Sequence, residues 1–291
     1  MWICRDWLDY KVLDLSGGEK LEDWNGYRLV RPDPQVVWNR REFPQEWKSF
    51  HGRYHRSNKG GGSWEFVKRV PDRWQVSFAP LGLTFNIKPM GFKHTGLFPE
   101  QAANWLWFSQ LIREAKRPVN VLNLFAYTGG ATAAAAAAGA SVAHIDSSKG
   151  MVSWAKENLA SSGLADRPVR YIVDDVVKFV EREIRRGRKY DAVIMDPPSY
   201  GRGPNGEVWK IEDELFPLVE KCMQALSDEP LFFLINSYTT GLAPSVLSDI
   251  LEMTVTARFG GKTAADEVGL PVQGSRLVLP CGASGRWQAT K

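Results

Sequence analysis

An α/β fold with a mostly parallel sheet of seven strands is what this 291-residue chain predicts. Three observations carry it. From residue 119 onward, short apolar runs alternate with helix-length segments. A glycine pair, Gly129-Gly130, breaks the first apolar run and opens the first helix of that series. Acids close the next three runs: Asp146, Asp174-Asp175 and Asp196. Alternation of strand and helix implies parallel strands joined by right-handed crossovers. Ligands on such sheets bind beyond the C-terminal strand ends. Phe125–Gly129, Asp146, Asp175 and Asp196 would then share one edge.

Taken in order, a strand is expected near 119–124, where Val119, Val121, Leu122 and Leu124 form a buried run. The alanine run Ala133–Ala138 has the highest intrinsic helix propensity and predicts a helix over 130–138. Gly139 stands where a helix-terminating glycine belongs. Further strands are predicted near 141–145, 169–173, 191–195 and 231–235. Helices are predicted over 148–161, 176–186, 211–226 and 243–252, and a final strand pair near 253–260 and 275–280. Ahead of the series, Ala102–Glu114 reads as a helix with an aromatic face (Trp105, Phe108, and Leu111 or Ile112).

Residues 1–90 differ in texture. Seven of the twelve Trp lie in the first 80 positions. Alternating β-branched and aromatic stretches (Gly26–Arg31, Ser63–Val67, Trp74–Phe78, Leu83–Lys88) are separated by Pro and Gly turns, which predicts a small, mostly antiparallel β module. Between Arg40 and Arg73 there are nine Lys/Arg against four Asp/Glu, interleaved with Trp47, Tyr54 and Trp64. Such a mixture suits phosphate contact and base stacking. It equally suits a small aromatic core with solvated cations. The chain therefore divides into a β-rich substrate-recognition domain, 1–90, and an α/β domain, 91–291.

The composition is that of an ordinary globular protein, 44% hydrophobic and 24% charged, with net charge +4. A mildly basic balance permits an anionic partner without requiring one. Cys4, Cys222 and Cys281 form neither a paired framework nor a C-x-x-C, so neither disulfides nor a metal site is indicated. Met1-Trp-Ile-Cys-Arg-Asp-Trp7 reaches charge too early for a signal peptide, and no apolar run approaches membrane-spanning length. The expectation is a cytoplasmic protein with no membrane partner.

The glycine turn lacks the G-x-G-x-x-G of dinucleotide-binding folds, which argues against a nicotinamide enzyme. Asn123-Leu-Phe-Ala-Tyr-Thr-Gly-Gly130, Asp146, Asp174-Asp175-Val and Asp196-Pro-Pro-Ser-Tyr200 together resemble a class I S-adenosylmethionine (SAM)-dependent methyltransferase of Rossmann-like fold. More closely, they resemble the bacterial large-subunit ribosomal RNA methyltransferases with their cytosine-C5 and guanine-N7 members. The resemblance covers roughly residues 85–282.

It implies SAM as cofactor and ribosomal RNA as partner. Asp146 is expected to accept hydrogen bonds from the ribose hydroxyls, with Ser147 as cap of the helix that follows. Asp175, or its neighbour Asp174, is expected to accept from the adenine amino group, and either could instead cap helix 176–186. Asn123, Phe125, Ala126, Tyr127, Thr128 and Gly129 are expected to surround the methionine moiety. Thr95, Gly96 and Gln101 match a Thr-Gly-x-x-x-x-Gln segment that covers the same moiety, whereas Glu100 replaces a frequent Asp. Asp196, Pro197, Pro198 and Tyr200 are expected at the methyl-transfer centre, Asp196 also touching the cofactor. Asn236 is expected to help orient the acceptor.

One departure bears on chemistry. Cytosine-C5 methylation needs a thiolate to activate the ring. After the fifth strand this chain has Asn236-Ser237-Tyr238 and no thiol. Cys222 reads as core and Cys281 lies later. Methylation of a base nitrogen is therefore the expected reaction. The alternative is a small molecule or protein side chain as acceptor.

Overall fold

A computed structural model describes residues 1–57, 61–202 and 208–290, with only the backbone of Arg202. Internal contacts divide the chain into two compact units. The β-rich unit comprises Trp2–Ala103 and Gly269–Cys281. The α/β unit comprises Met1, Asn104–Val268 and Gly282–Lys291.

The β-rich unit contains β1 (Trp2–Ile3), β2 (Tyr10–Ser16), β3 (Glu19–Trp24), β4 (Tyr27–Pro32), β5 (Gly52–Arg56), β6 (Gly62–Phe66), β7 (Trp74–Phe78) and β8 (Leu83–Ile87). Strands β2 to β6 form one sheet in chain order, antiparallel throughout except for β4–β5. Strands β7 and β8 pair separately. Gly17-Gly18 and Asn25-Gly26, all at positive φ, make the two tight turns of β2–β3–β4. Leu13, Leu21, Val30 and Trp47 cluster in the core.

Trp7, Trp24, Trp47 and Trp74 are all buried, so much of the aromatic wealth of this unit is core. A charged group lies inside as well. Arg31 donates to Glu22 through Nε (2.6 Å) and Nη2 (2.7 Å), and Tyr10 Oη donates to the same carboxylate (2.7 Å). Burial alone would raise Glu22, but the Arg31 and Lys20 charges outweigh it and hold the carboxyl down at about 2. Such a geometry satisfies the charge that burial would otherwise strand.

The α/β unit contains α1 (Ala102–Glu114), which begins at the boundary, β9 (Asn120–Leu124), α2 (Gly130–Ala137), β10 (Ser141–Asp146), α3 (Lys149–Ser161), β11 (Val169–Val173), α4 (Val176–Arg185) and β12 (Ala192–Met195). The hairpin β13 (Tyr200–Arg202) and β14 (Val208–Lys210) follows, then α5 (Ile211–Ala225), β15 (Phe232–Ser237), α6 (Pro244–Leu251), β16 (Lys262–Pro271), in this unit as far as Val268, and β17 (Val278–Gln288), in this unit from Gly282 onward. Across the sheet, β16, β17, β15, β12, β9, β10 and β11 lie side by side. The five from β15 to β11 are parallel, and β17 is antiparallel to β15. The expected doubly wound α/β fold is thus present. Its core joins Leu122, Leu124, Ile145, Val193, Met195, Phe233 and Trp287 to the helices on that face. Among the described residues no helix is long and apolar enough to cross a membrane.

The expected strand near 253–260 is corrected. Residues Glu252–Thr256 continue α6 as a wider helical turn, followed by one more turn at Ala257–Phe259. The β-branched alternation Thr254-Val255-Thr256 misleads, because the Thr254 hydroxyl donates to the Ile250 carbonyl four residues back (2.6 Å) and so fits a helix. Gly260 and Gly261, at φ 64° and 93°, end it and release β16 at Lys262.

Candidate active site

Register fixes which residues share the carboxyl edge of the sheet. Leu124 stands opposite Ile145 and Met195, Asp146 opposite Val173, and Met195 opposite Ile235. The segments that follow these positions therefore emerge side by side: Phe125–Gly129, Asp146–Ser148, Asp174–Asp175, and Asp196–Tyr200.

The loop after β9 is wound tightly. Phe125 and Tyr127 adopt φ of 56° and 51°, left-handed values that cost a non-glycine residue of order 1–3 kcal/mol each. Gly129, at φ 81°, ends the loop as the cap of α2. A Cβ at Gly129 would meet the Cβ of Ala155 at 2.8 Å, and one at Gly130 would meet the Trp105 ring at 2.7 Å. The glycine pair is thus required by close packing of the loop on α3 and α1. Ala126 N–H donates to the Ile145 carbonyl (3.0 Å), and Asn158 Nδ2 to the Thr128 carbonyl (2.8 Å).

Asp146 ties this loop to the next helix. Its Oδ2 accepts from Tyr127 N–H (2.9 Å) and its Oδ1 from Ser148 N–H (2.8 Å). Burial raises its pKa, and the two backbone donors oppose that rise. Each carboxylate oxygen keeps a second lone pair, so the group can accept two further hydrogen bonds. The cap of α3 is Ser148, whose hydroxyl accepts from Met151 N–H (3.4 Å). The expectation that Ser147 caps this helix is corrected: Asp146 bonds across to Ser148 N–H, so the chain stays extended through Ser148 (φ −92°, ψ 111°).

After β11 the two acids do different things. Asp174 Oδ1 accepts from Asp175 N–H (2.8 Å), and its other oxygen pairs with Arg182. Asp175 caps α4 through Oδ1, which accepts from Lys178 N–H (2.9 Å).

Below the loop lies a chain of buried polar groups. Asn123 Nδ2 donates to Thr132 Oγ1 (2.9 Å), which also bonds His144 Nδ1 (2.8 Å). Burial pushes His144 down to about 3, so its ring is neutral. Asn123 supports the turn from beneath. Thr132, His144 and Asn158 carry no motif, and nothing in the sequence alone marked them.

Asp196 N–H donates to the Leu124 carbonyl (3.3 Å), which joins the two loops. Trp209 Nε1 donates to the Pro198 carbonyl (2.7 Å), and its ring packs 5.1 Å from that of Phe125. Ser199 Oγ bonds Thr239 Oγ1 (2.6 Å). Pro197 is buried and Pro198 exposed between these anchors, and Tyr200 is 51% exposed at the start of the hairpin. Arg202's side chain and residues 203–207 lie outside the described residues.

Asn236 is 3% exposed, and its Oδ1 accepts from Ser284 Oγ (2.7 Å) and Asn104 Nδ2 (3.2 Å). Arg286 Nε in turn donates to Asn104 (2.8 Å). Its carbonyl is held by this buried network, and the acceptor-orienting expectation rests on its Nδ2.

Thr95, Gly96 and Gln101 belong to the β-rich unit. Thr95 is fully buried and its carbonyl accepts from Lys88 N–H (3.2 Å), Gly96 takes φ 96°, and Gln101 closes a short 3-10 turn.

A strained glycine-ended turn, an acid at the end of the second strand and Asp-Pro-Pro-Ser-Tyr at the fourth now stand on one edge. Residues 53–211 match the family model of S-adenosylmethionine-dependent methyltransferases. The chain belongs to this family. The methyltransferase is 34% identical to a solved SAM-dependent methyltransferase from Agrobacterium tumefaciens, over 99% of this chain and 93% of that one, with a TM-score of 0.93. A second solved methyltransferase, complexed with S-adenosylhomocysteine, shares the fold at 20% identity, over 97% of this chain and 76% of that one (TM-score 0.74). Among curated relatives, the ribosomal RNA large subunit methyltransferase K/L of Shewanella frigidimarina is 32% identical over 57% of this chain. The match spans only 23% of that relative's length. The methyltransferase uses SAM as its cofactor, and Asp146 with the Phe125–Gly129 turn fits it: a half-buried carboxylate with acceptor capacity stands beside a tightly wound backbone turn.

Proposed function

We propose that this methyltransferase transfers a methyl group to a base nitrogen in ribosomal RNA. The observation that carries the nitrogen assignment is the anchored Asp196-Pro-Pro-Ser-Tyr200 segment on the same edge as Asp146. The names of the curated relatives support the RNA class.

S-adenosylmethionine supplies an electrophilic methyl group on a sulfonium sulfur. Asp146 accepts from the ribose hydroxyls, in charge-assisted bonds. Asp175 accepts from the adenine amino group through the oxygen not used by the cap. Backbone of Phe125–Gly129 surrounds the methionine end. The Asp196 carboxylate receives the N–H of the acceptor, on a segment held in place by the bond from Trp209 to the Pro198 carbonyl. Accepting that proton directs the nitrogen lone pair toward the methyl. Tyr200 offers a half-exposed ring for a planar base to stack on.

A thiolate route is opposed by the thiols present. Burial raises Cys222 and Cys281 well above the ordinary thiol range, and nearby Glu100 raises Cys281 further. Neither supplies a thiolate at neutral pH.

The test is incubation of methyl-labelled SAM with undermethylated ribosomal RNA, and in parallel with an RNA-free cell extract, followed by digestion and mass spectrometry. Label on a nitrogen of one nucleoside is expected. Label at cytosine C5 would overturn the nitrogen assignment, and label only in small molecules or protein would overturn the RNA assignment.

A further inference from the structure

The opposite end of the same sheet is concave. A cleft of ≈ 450 Å³ opens where β9, β10, β11 and β12 begin, bordered by Asn120, Ser141, Val169 and Tyr190. Three cations, Arg170, Arg188 and Lys189, line it. They come from separate elements: Arg170 from β11, Arg188 and Lys189 from the segment between α4 and β12. The C-terminal dipole of α4 favours nearby cations, yet it does not account for Arg170 on a strand.

The charge balance is uneven. One buried carboxylate, Glu183, serves Arg170 (3.1 Å), Arg186 (3.2 Å) and Arg188 (3.8 Å) and also accepts from Tyr190 Oη (2.5 Å). Glu183 is fully buried, while the three arginine side chains are 43–56% exposed. Three guanidiniums on one carboxylate leave two positive charges in excess, and Lys189 adds a third. Glu183 fixes the guanidiniums in place without neutralising them. A concave surface lined by one sign of charge focuses potential and concentrates counter-ions.

We propose that this cleft is a phosphate-binding exosite that grips the backbone of the RNA acceptor; the inference rests on the RNA reading given above. The cleft lies a full strand from the methyl-transfer edge. The six residues of β10 span roughly 20 Å at about 3.3 Å per residue. A phosphate held there is therefore several nucleotides from the methylated base. The site recognises a sizeable or folded RNA and leaves a short oligonucleotide unaided.

The test is the double substitution Arg188→Gln with Lys189→Gln, which leaves Arg170 on Glu183. RNA affinity is read by fluorescence anisotropy across salt concentrations, beside calorimetric SAM affinity and the thermal midpoint. Each phosphate contact on single-stranded nucleic acid contributes about 0.7 to the slope of log affinity against log salt. Loss of two contacts should flatten that slope by about 1.4 and weaken binding by roughly 25-fold at 0.1 M salt. SAM affinity, thermal midpoint and methylation of a short oligonucleotide carrying the target base should stay unchanged. Wild-type binding with an unaltered affinity and slope in the variant would overturn the exosite alone. Failure of the wild-type protein to bind RNA would overturn both the exosite and the RNA reading.

Discussion

Replacing Gly129 by Ala tests the construction of the cofactor turn. Two independent costs follow from the geometry. The left-handed φ of 81° costs an L-residue about 1–2 kcal/mol. The new methyl would stand 2.8 Å from the Ala155 Cβ, an overlap worth about 1–3 kcal/mol where neighbours cannot yield. Ala155 is fully buried on α3, so relief by rotation is closed to it. The sum is about 2–5 kcal/mol of lost stability, measured by urea denaturation. The two costs separate in a double-mutant cycle. In an Ala155→Gly background the methyl overlap disappears, and Gly129→Ala should cost only the conformational 1–2 kcal/mol. SAM affinity should fall in the single variant and recover in part in the double. A cost below about 1 kcal/mol, or one that Ala155→Gly does not reduce, would refute the packing argument.

Other outcomes follow from the same geometry. Asp146→Asn should weaken SAM binding by about 1.5–3 kcal/mol, the worth of bonds to a charged acceptor. The wild-type carboxyl is raised by burial, so the fold favours its neutral form and this group costs stability as pH rises through its folded pKa. SAM affinity runs the other way: it should fall as pH drops through that raised pKa, and calorimetry of Asp146→Asn should show a flatter profile. Trp209→Phe keeps a ring against Phe125 and removes the donor to Pro198; loss of about 1 kcal/mol of positioning should lower kcat by about fivefold while SAM affinity holds. Glu22→Gln should cost about 3–5 kcal/mol of stability at neutral pH, since it leaves Arg31 buried beside a neutral partner. Because Glu22 titrates at about 2 in the fold against 4.5 in its ordinary state, its stabilisation is complete above 4.5 and is lost as pH falls toward 2, and acid titration of the variant should lack that loss.

The sheet was legible because its signals are local. Apolar runs of strand length, an alanine helix and acids at run ends need no tertiary information, and β9 to β12 stand where those runs do. The hairpins at Gly17-Gly18 and Asn25-Gly26 carried equally local signals, but Glu19–Trp24 is too polar to read as a strand by alternation. Where tertiary partners decide, the sequence was ambiguous. Ser147 and Ser148 are chemically identical, and only the bond from Ser148 N–H to Asp146 selects the cap. Asn236 stands near the end of β15, where an acceptor-orienting residue would, yet Asn104 and Ser284, far away in the chain, claim its carbonyl. Nothing local marks Glu22 and Arg31 as a buried pair; the register of β3 on β4 makes them diagonal neighbours on adjacent strands. Gly130 is explained by Trp105, a contact no local pattern contains.

The most direct measurement of the central claim compares wild-type protein with Asp196→Ala, using methyl-labelled SAM and ribosomal RNA in single-turnover assays beside calorimetric SAM titration. The account predicts that the variant stays folded and binds SAM, while transfer to the RNA falls by several orders of magnitude. Transfer at a near wild-type rate would show that the acceptor is oriented elsewhere and would contradict the assignment of Asp196-Pro-Pro-Ser-Tyr200 as the methyl-transfer centre.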